Sequence, residues 1–494
     1  MATKYNLDIN TLSESDVSFL IKEASEEVAR YVELHEYYKG EHPILDRTAT
    51  DSAKPNNKLV NNFPGYITDV NVGYFMGKPV TYSTVEEEDE MKDAIQDILD
   101  YNDEQVHNAS LATTSSIMGT AFELLYIDEL ANVRFGEVSP CNLILVYNDK
   151  ISPEPLFAIR YGIDDVAITT TGSDGMVVAS KKSVVWAELY TDKEIIEYGG
   201  ELGKGFTESD RRPHQFGSVP VVEYLNNDDR MSDFEKVLTL VDAYDLAQSD
   251  SANDFDYFAD AYLMIKNMSG TNSDDIAAMK SKRVILVDGD GDASWLTKTI
   301  QDTASQNFKN RLQTDIHRFS MTPNLTDEAF AGNLSGVGLE FKLWGLEQVA
   351  ARKERKFKKG LQRRLELLCN FLNVKNGTEY DWRNLEISFT RNIPANVPDI
   401  VDMVSKLNGI ISNEKLLGLL PFIEDPQREM DRIKKEQEDT VDLDSINDEE
   451  PPADAEINEE GEVTNVGSEE GSPKTEPTDG SDDGSDGEGS TPRV

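Results

Sequence analysis

The run Asp288-Gly289-Asp290-Gly291-Asp292 is where this chain comes nearest to a chemical site. Carboxylates alternating with glycine open a calcium loop, whose oxygens at positions 1, 3 and 5 converge on one cation before a glycine at position 6 turns the chain. Here Ala293 stands at the glycine position and Thr299 at the position of the bidentate glutamate. A tight acidic hairpin fits these residues better. A divalent-metal nuclease or nucleotide hydrolase built on Asp288, Asp290 and Asp292 is the alternative. Other catalytic constellations are missing. Gly203-Lys204-Gly205 lacks the leading glycine and the hydroxyl residue of a phosphate loop. No nucleophile elbow, H-E-x-x-H or paired-cysteine motif occurs. The 5 histidines are scattered, with only His35 and His42 close together, and they read as packing or surface residues. No cofactor and no enzymatic activity are expected.

One basic cluster breaks the acidic background: Arg352, Lys353, Arg355, Lys356, Lys358, Lys359, Arg363 and Arg364. Such a cluster can meet DNA phosphate or pair with acidic faces of neighbouring elements or subunits. Its mid-helix position favours the second.

The element that carries this cluster organises the chain. Leu339, Leu343, Leu346, Ala350, Phe357, Leu361, Leu365, Leu368 and Leu372 recur at threes and fours with one double step, which predicts a long helix over 339–376. At about 1.5 Å per residue it is a spoke of roughly 50 Å. Before it lies a loop, Asn324 to Gly338, rich in glycine and small residues: Gly332, Asn333, Ser335, Gly336 and Gly338 among them. Pro323 ends the preceding helix, because the residue before a proline is pushed out of helical geometry.

In chain order, Ser13 to Gly40 predicts one helix, with Ser13 as N-cap and Gly40 as C-cap. Acidic and Ser/Thr-rich helices follow at Glu86–Tyr101 and His107–Met118. Strands are expected at Phe122–Ile127, Val133–Phe135, Leu143–Tyr147, Leu156–Tyr161, Val184–Tyr190 and Glu194–Tyr198, with hairpin turns at Gly172–Gly175 and Gly199–Gly205. A second long helix is expected at Asp233–Ile265, apolar on one side, with Asp242, Asp245, Asp250, Asp254, Asp256 and Asp260 on the other. A small α/β interlude with strands at Arg283–Val287 and Ser294–Leu296 precedes a helix at Thr303–Ser320. After Gly377 come a strand (Leu385–Thr390) and helices at Val397–Asn408, Asn413–Leu420 and Pro426–Asp439.

The 494 residues exceed what one core holds, and the 38% apolar content is lean for a compact enzyme. Net charge is −45; residues 436–494 hold 21 acidic and 2 basic residues, hence −19, and the remainder is still strongly acidic. Such a surface repels nucleic-acid phosphate. The tail beyond residue 440 is too poor in apolar residues to order itself. Cys141 and Cys369 are the 2 cysteines, and a disulfide framework is not expected. No signal peptide and no apolar run of 18 residues are seen, so a soluble protein without a membrane partner is expected.

Several stretches, in order, resemble one family: Pro55 to Tyr82; Val219-Pro220-Val221-Val222-Glu223-Tyr224 through Asp233-Phe234-Glu235 to Ser249-Asp250; the glycine loop with Leu339-Glu340-Phe341-Lys342-Leu343; Arg391-Asn392-Ile393-Pro394; and Leu420-Pro421-Phe422. Together, over about residues 13–435, they are similar to portal proteins of tailed bacteriophages, those of long-tailed phages of Gram-positive hosts above all. The resemblance implies an α+β, multidomain fold. Its parts would be an N-terminal α+β wing (1–232), stem helices (233–265 and 303–323), a small α/β clip (266–302), a tunnel loop (324–338), a long wing helix (339–376), and a wing strand with a helical crown (377–439). The acidic tail, 440–494, would be disordered. It implies a ring of about twelve copies at one capsid vertex of the virion, assembled in the host cytoplasm, through which double-stranded DNA is packaged and ejected without sequence recognition. The channel would be lined by Asn324, Thr326, Gly332, Asn333, Leu334, Ser335, Gly336, Val337 and Gly338. The clip, with Asp288, Asp290, Asp292 and Trp295, would dock the terminase large subunit and the head-tail connector, with capsid and scaffold proteins as further partners. An acidic oligomeric scaffold or interaction protein is the alternative to this reading.

Overall fold

A computed structural model describes residues 12–49, 54–84, 89–171, 177–201, 205–259, 262–266, 274, 277, 292–296, 302–326, 336–392, 397–420, 422–423 and 426–446. The chain forms two compact units, 1–394 and 395–494. The fold is α+β, as expected.

The first unit opens with α1 (Glu14–Glu23) and α2 (Ser25–Lys39). Ser13 and Asp16 cap α1 reciprocally, and Gly40, at φ 83°, ends α2. The single helix expected over Ser13–Gly40 is therefore two, divided at Ala24, where ψ opens to −11°. After α2 come α3 (Phe63–Met76), β1 (Thr81–Thr84), α4 (Asp89–Tyr101) and α5 (Glu104–Met118).

The strands between residues 120 and 225 form the two larger of four sheets among the described residues. β2 (Thr120–Ile127) lies between β3 (Val133–Val138) and β9 (Val221–Leu225). The second sheet runs in sequence order through β4 (Leu143–Tyr147), β5 (Pro155–Thr171), β6 (Val177–Tyr190), β7 (Glu194–Glu201) and β8 (Gly205–Pro213). The last of these was not expected. Its residues, Gly-Phe-Thr-Glu-Ser-Asp-Arg-Arg-Pro, are almost all exposed, so there is no alternation to read.

α6 (Leu238–Ala259) stops short of the expected Ile265, because Tyr262-Leu263-Met264-Ile265 belongs to β10 (Tyr262–Lys266), paired antiparallel with β11 (Asp292–Leu296). A continuous apolar run satisfies either period, and the cross-strand partner decides. Asp292 is thus the first residue of a strand, opposite Lys266, and not the end of a turn; Trp295 stands opposite Leu263. The expected strand at 283–287, Asp288 and Asp290 lie outside the described residues.

α7 (Asp302–Ser320) leads towards α8 (Gly336–Asn376), a helix of 41 residues. β12 (Leu385–Ser388) then pairs antiparallel with β1, about three hundred residues earlier, as Tyr82 opposite Ile387. In the second unit, α9 (Val397–Leu407), α10 (Asn413–Gly418) and α11 (Pro426–Ile446) follow the predicted order. α11 extends seven residues beyond the expected end at Asp439. No proline or glycine interrupts it there, so charge alone does not stop the helix.

α8 is the axis of the largest core. Leu343, Leu346, Ala350, Phe357, Leu361, Leu365 and Leu368 pack against Phe75 of α3, Leu99 of α4, Leu111 of α5 and Tyr224 of β9. A second core seats α1 on the five-stranded sheet through Val17 and Leu20. A third joins α2, α3, α5, α6 and α7 through Leu34, Ile67, Ile117, Val241 and Ile316.

The acidic side of α6 is partly covered by this chain itself. The segment before α3 runs along it in the opposite direction. The backbone N–H groups of Asn57, Leu59 and Asn61 donate to Asn253 Oδ1 (2.6 Å), Ser249 Oγ (2.9 Å) and Asp245 Oδ1 (2.7 Å). Every second residue of the strap meets every fourth residue of the helix. Asp245 is fully buried, and its other oxygen lies 2.5 Å from His42 Nδ1. Ser249→Ala should remove one of these teeth and cost about 1 kcal/mol. The same substitution at the half-buried Ser251, which bonds only Ala247 and Ser305, should cost less. Urea titration of both variants checks the order.

Candidate functional site

The loop expected to line a channel begins as predicted at Asn324 but ends earlier. Gly336, Val337 and Gly338 belong to the first turn of α8. A glycine costs a helix only about 1 kcal/mol, and first-turn N–H groups have no helical partner in any case. Gly332, Asn333, Leu334 and Ser335 lie outside the described residues.

The base of the loop is clamped. The Tyr66 hydroxyl, from α3, donates to the Pro323 carbonyl (2.9 Å) and accepts from Leu325 N–H (2.9 Å), so one side chain fixes two backbone groups two residues apart. Asn324 closes a side-chain turn by accepting from Thr326 N–H (3.1 Å) and Thr326 Oγ1 (2.7 Å). Thr322 is fully buried and accepts from Asn71 Nδ2 (2.9 Å). His317 packs edge-on against Phe63 and Tyr66, and its Nδ1 is 3.1 Å from the Thr322 carbonyl. Burial lowers the pKa of His317, partly offset by that carbonyl; Nδ1 is then the protonated donor. Met321 holds φ 58°, an uncommon angle for a residue with a side chain, and its backbone packs near Gly345 of α8. The entry to the loop is thus tied to α3 and packs near α8. The sequence offered no sign of Tyr66 as the clamp, since the hydroxyl works only through contacts 257 and 259 residues away.

The basic cluster divides by face. Lys353 pairs with Asp233 and Lys356 with Asp228; Lys358 donates to the Ile387 carbonyl (2.9 Å); Arg363 pairs with Glu366 (2.8 Å) and reaches Ser218 Oγ (2.6 Å). Arg364 is completely buried between Glu104 (3.0 Å) and Glu123 (2.7 Å), with its guanidinium over the ring of Phe135 at 4.7 Å. Glu123 also meets His107 (2.8 Å) and accepts from Tyr224 (2.9 Å). Burial alone would raise the pKa of Glu123, but Arg364 and His107 outweigh it and bring it down to about 2. Pairing within the chain therefore accounts for most of the cluster. Arg352, Arg355 and Lys359 remain exposed.

A cleft of about 650 Å³ lies between the two sheets, beside Arg160, whose guanidinium stacks 4.7 Å from the Trp186 ring centre. Two of its acids are engaged already: Glu188 with Arg160 and Tyr190, Glu137 with Ser110 and Thr114. Among the described residues no group of three His, Cys, Asp or Glu side chains is placed to hold a metal ion, and no helix is long and apolar enough to cross a membrane. Among the described residues Cys141 and Cys369 form no disulfide.

The sequence profile of the family described as phage portal protein, SPP1 Gp6-like, matches residues 17–442. This chain belongs to the phage portal protein family. Among curated portal proteins, that of Bacillus phage SPP1 is 25% identical over 403 residues, covering 78% of this chain and 77% of the relative. The portal protein of Clostridium phage phiCD119 is 26% identical over 416 residues, covering 79% and 88%. Among solved structures, a chain from the neck of an empty GTA particle computed with C6 symmetry aligns with 73% of this chain and 90% of its own length, at 12% identity and a TM-score of 0.41. The portal-family match spans the clamped loop, all of α8 and most of α11.

Proposed function

We propose that this chain assembles into a closed ring of about twelve copies at a capsid vertex of the virion. Double-stranded DNA passes through it without being read, and the role is structural, not catalytic. The observation that carries this reading is the clamp. Tyr66 holds the loop base at Pro323 and Leu325, and the 41-residue α8 begins at Gly336. A channel loop requires such a fixed base. The net charge of −45 supports the same reading, since an acidic surface does not grip phosphate. Within it, Asn324 and Thr326 stand at the loop base, Gly332, Asn333, Leu334 and Ser335 form the part nearest the DNA, and Gly336, Val337 and Gly338 form the hinge into α8. The β10–β11 hairpin, with Asp292 and Trp295, is the clip that docks the terminase large subunit and the head-tail connector, and capsid and scaffold proteins hold the rim.

Gly332→Val is the test. Rings and proheads carrying it should form at wild-type yield, while DNA packaged in vitro falls by about tenfold or more. Gly136→Ala is the control, because a Cβ there meets nothing within 4 Å. Wild-type packaging by the Gly332 variant, or failure of the unaltered protein to form rings, overturns the assignment.

A further inference from the structure

The exposed side of α8 carries Arg352, Arg355 and Lys359, and the exposed side of α2 carries Glu26, Glu33 and Glu36. Both helices are fixed to one loop, 228–235, by side chains beside these stripes. From α2, Arg30 reaches Glu235 (2.7 Å) and the Arg230 carbonyl (2.8 Å). From α8, Lys353 and Lys356 hold Asp233 and Asp228. One rigid piece therefore presents two outward stripes of opposite sign. Arg352 and Lys359 are seven residues apart, as are Glu26 and Glu33; in both helices this is two turns, about 10.5 Å. Among the described residues none of the three cations forms an ion pair, although Lys359 is near enough to Asp228 to help lower its pKa, in a chain with nearly twice as many acids as bases.

We infer that the two stripes meet between neighbouring copies: Arg352, Arg355 and Lys359 of one chain lie against Glu26, Glu33 and Glu36 of the next. The occupant is a second copy because the chain itself supplies the matching charges at the matching spacing. The contact joins different faces of the two partners. Such a heterologous contact repeats from copy to copy and gives a ring where its rotation closes. The inference rests on the ring proposed above and names the surface that sets its contacts.

Charge exchange tests it. One variant carries Arg352→Glu, Arg355→Glu and Lys359→Glu, so both stripes are acidic. The other carries Glu26→Lys, Glu33→Lys and Glu36→Lys, so both are basic. Circular dichroism establishes that each is folded. At about 50 mM salt, where screening is weak, each alone should lose the ring and run as monomer by light scattering. An equimolar mixture should recover rings, and native mass spectrometry should find the two variants in equal numbers. Alternation also demands an even count. If the unaltered chain forms no ring, the ring reading falls and takes this inference with it. If the unaltered chain and both variants form rings equally well, only the pairing of stripes is wrong. If the first variant keeps its ring but loses salt-dependent binding of a DNA duplex, the cations face DNA and the inference is overturned. A mixture of folded variants that stays monomeric overturns it as well.

Discussion

Arg364→Ala should lower the stability of the first unit by about 3–5 kcal/mol, the range for removing one partner of a buried ion pair. Arg364 is fully buried with Glu104 and Glu123, both of which belong to other elements, α5 and β2. Its loss leaves two carboxylates in the core with His107 as the remaining ring partner of Glu123. Replacing all three by apolar residues of similar volume should be far milder than the single change, because no charge is then left unpaired. The pH dependence has a definite sign. Glu123 has a folded pKa of about 2 against an ordinary 4.5. A carboxylate depressed in this way contributes its full stabilisation above the ordinary value and loses it as the pH falls from about 4.5 towards 2. Wild-type stability should therefore drop across that window, and Arg364→Ala should flatten the drop. Urea unfolding at pH 7, 4 and 3, followed by tryptophan fluorescence, separates these outcomes; an unchanged slope would show that the guanidinium is not what holds Glu123 charged.

Gly119→Ala is expected to cost at least about 3 kcal/mol, combining left-handed strain with a steric clash. Gly119 ends α5 at φ 85°, and its N–H donates to Ser115 (2.8 Å) while its carbonyl accepts from Asn226 (3.0 Å). A Cβ there would stand 2.0 Å from the Arg230 carbonyl oxygen. That oxygen is backbone and is itself bonded by Arg30, so it cannot swing aside. The damage should spread to the 228–235 loop and lower the melting temperature by several degrees. Gly136→Ala is the reference, and equal melting temperatures for the two would refute the close approach.

What the sequence revealed depended on range. The long helix was visible because its apolar residues repeat over about nine turns, and the structure moved its start by only three residues, from Leu339 to Gly336. Arg364 was visible only as one member of a basic cluster. Its place between Leu361 and Leu365, on the apolar side, was the local hint that it is buried, but its partners lie 241 and 260 residues away. The same distance hid Tyr66 as the loop clamp and β1 as the partner of β12. Errors came where two periods fit equally: Tyr262–Ile265 extends a helical stripe and also makes a strand. The division at Ala24 was missed because neither proline nor glycine marks it. The family portrait, in contrast, was carried by short runs such as Val219–Tyr224, whose strand and turn chemistry is local.

The strap along α6 behaves as a vernier. Two residues of extended chain advance about 6.8 Å, while four residues of helix advance about 6.0 Å. The two scales slip by about 0.8 Å per tooth, so a hydrogen bond centred on the middle tooth survives one step either way and fails beyond it. Three teeth are found, at Asn57, Leu59 and Asn61. Such a device measures length without needing a matching surface. Deleting one residue between Asn57 and Asn61 would put the wrong parity of backbone against the helix, leaving no partial register to fall into. The segment that leads into α3, and through Tyr66 to the base of the loop, is therefore set along α6 to within a single residue.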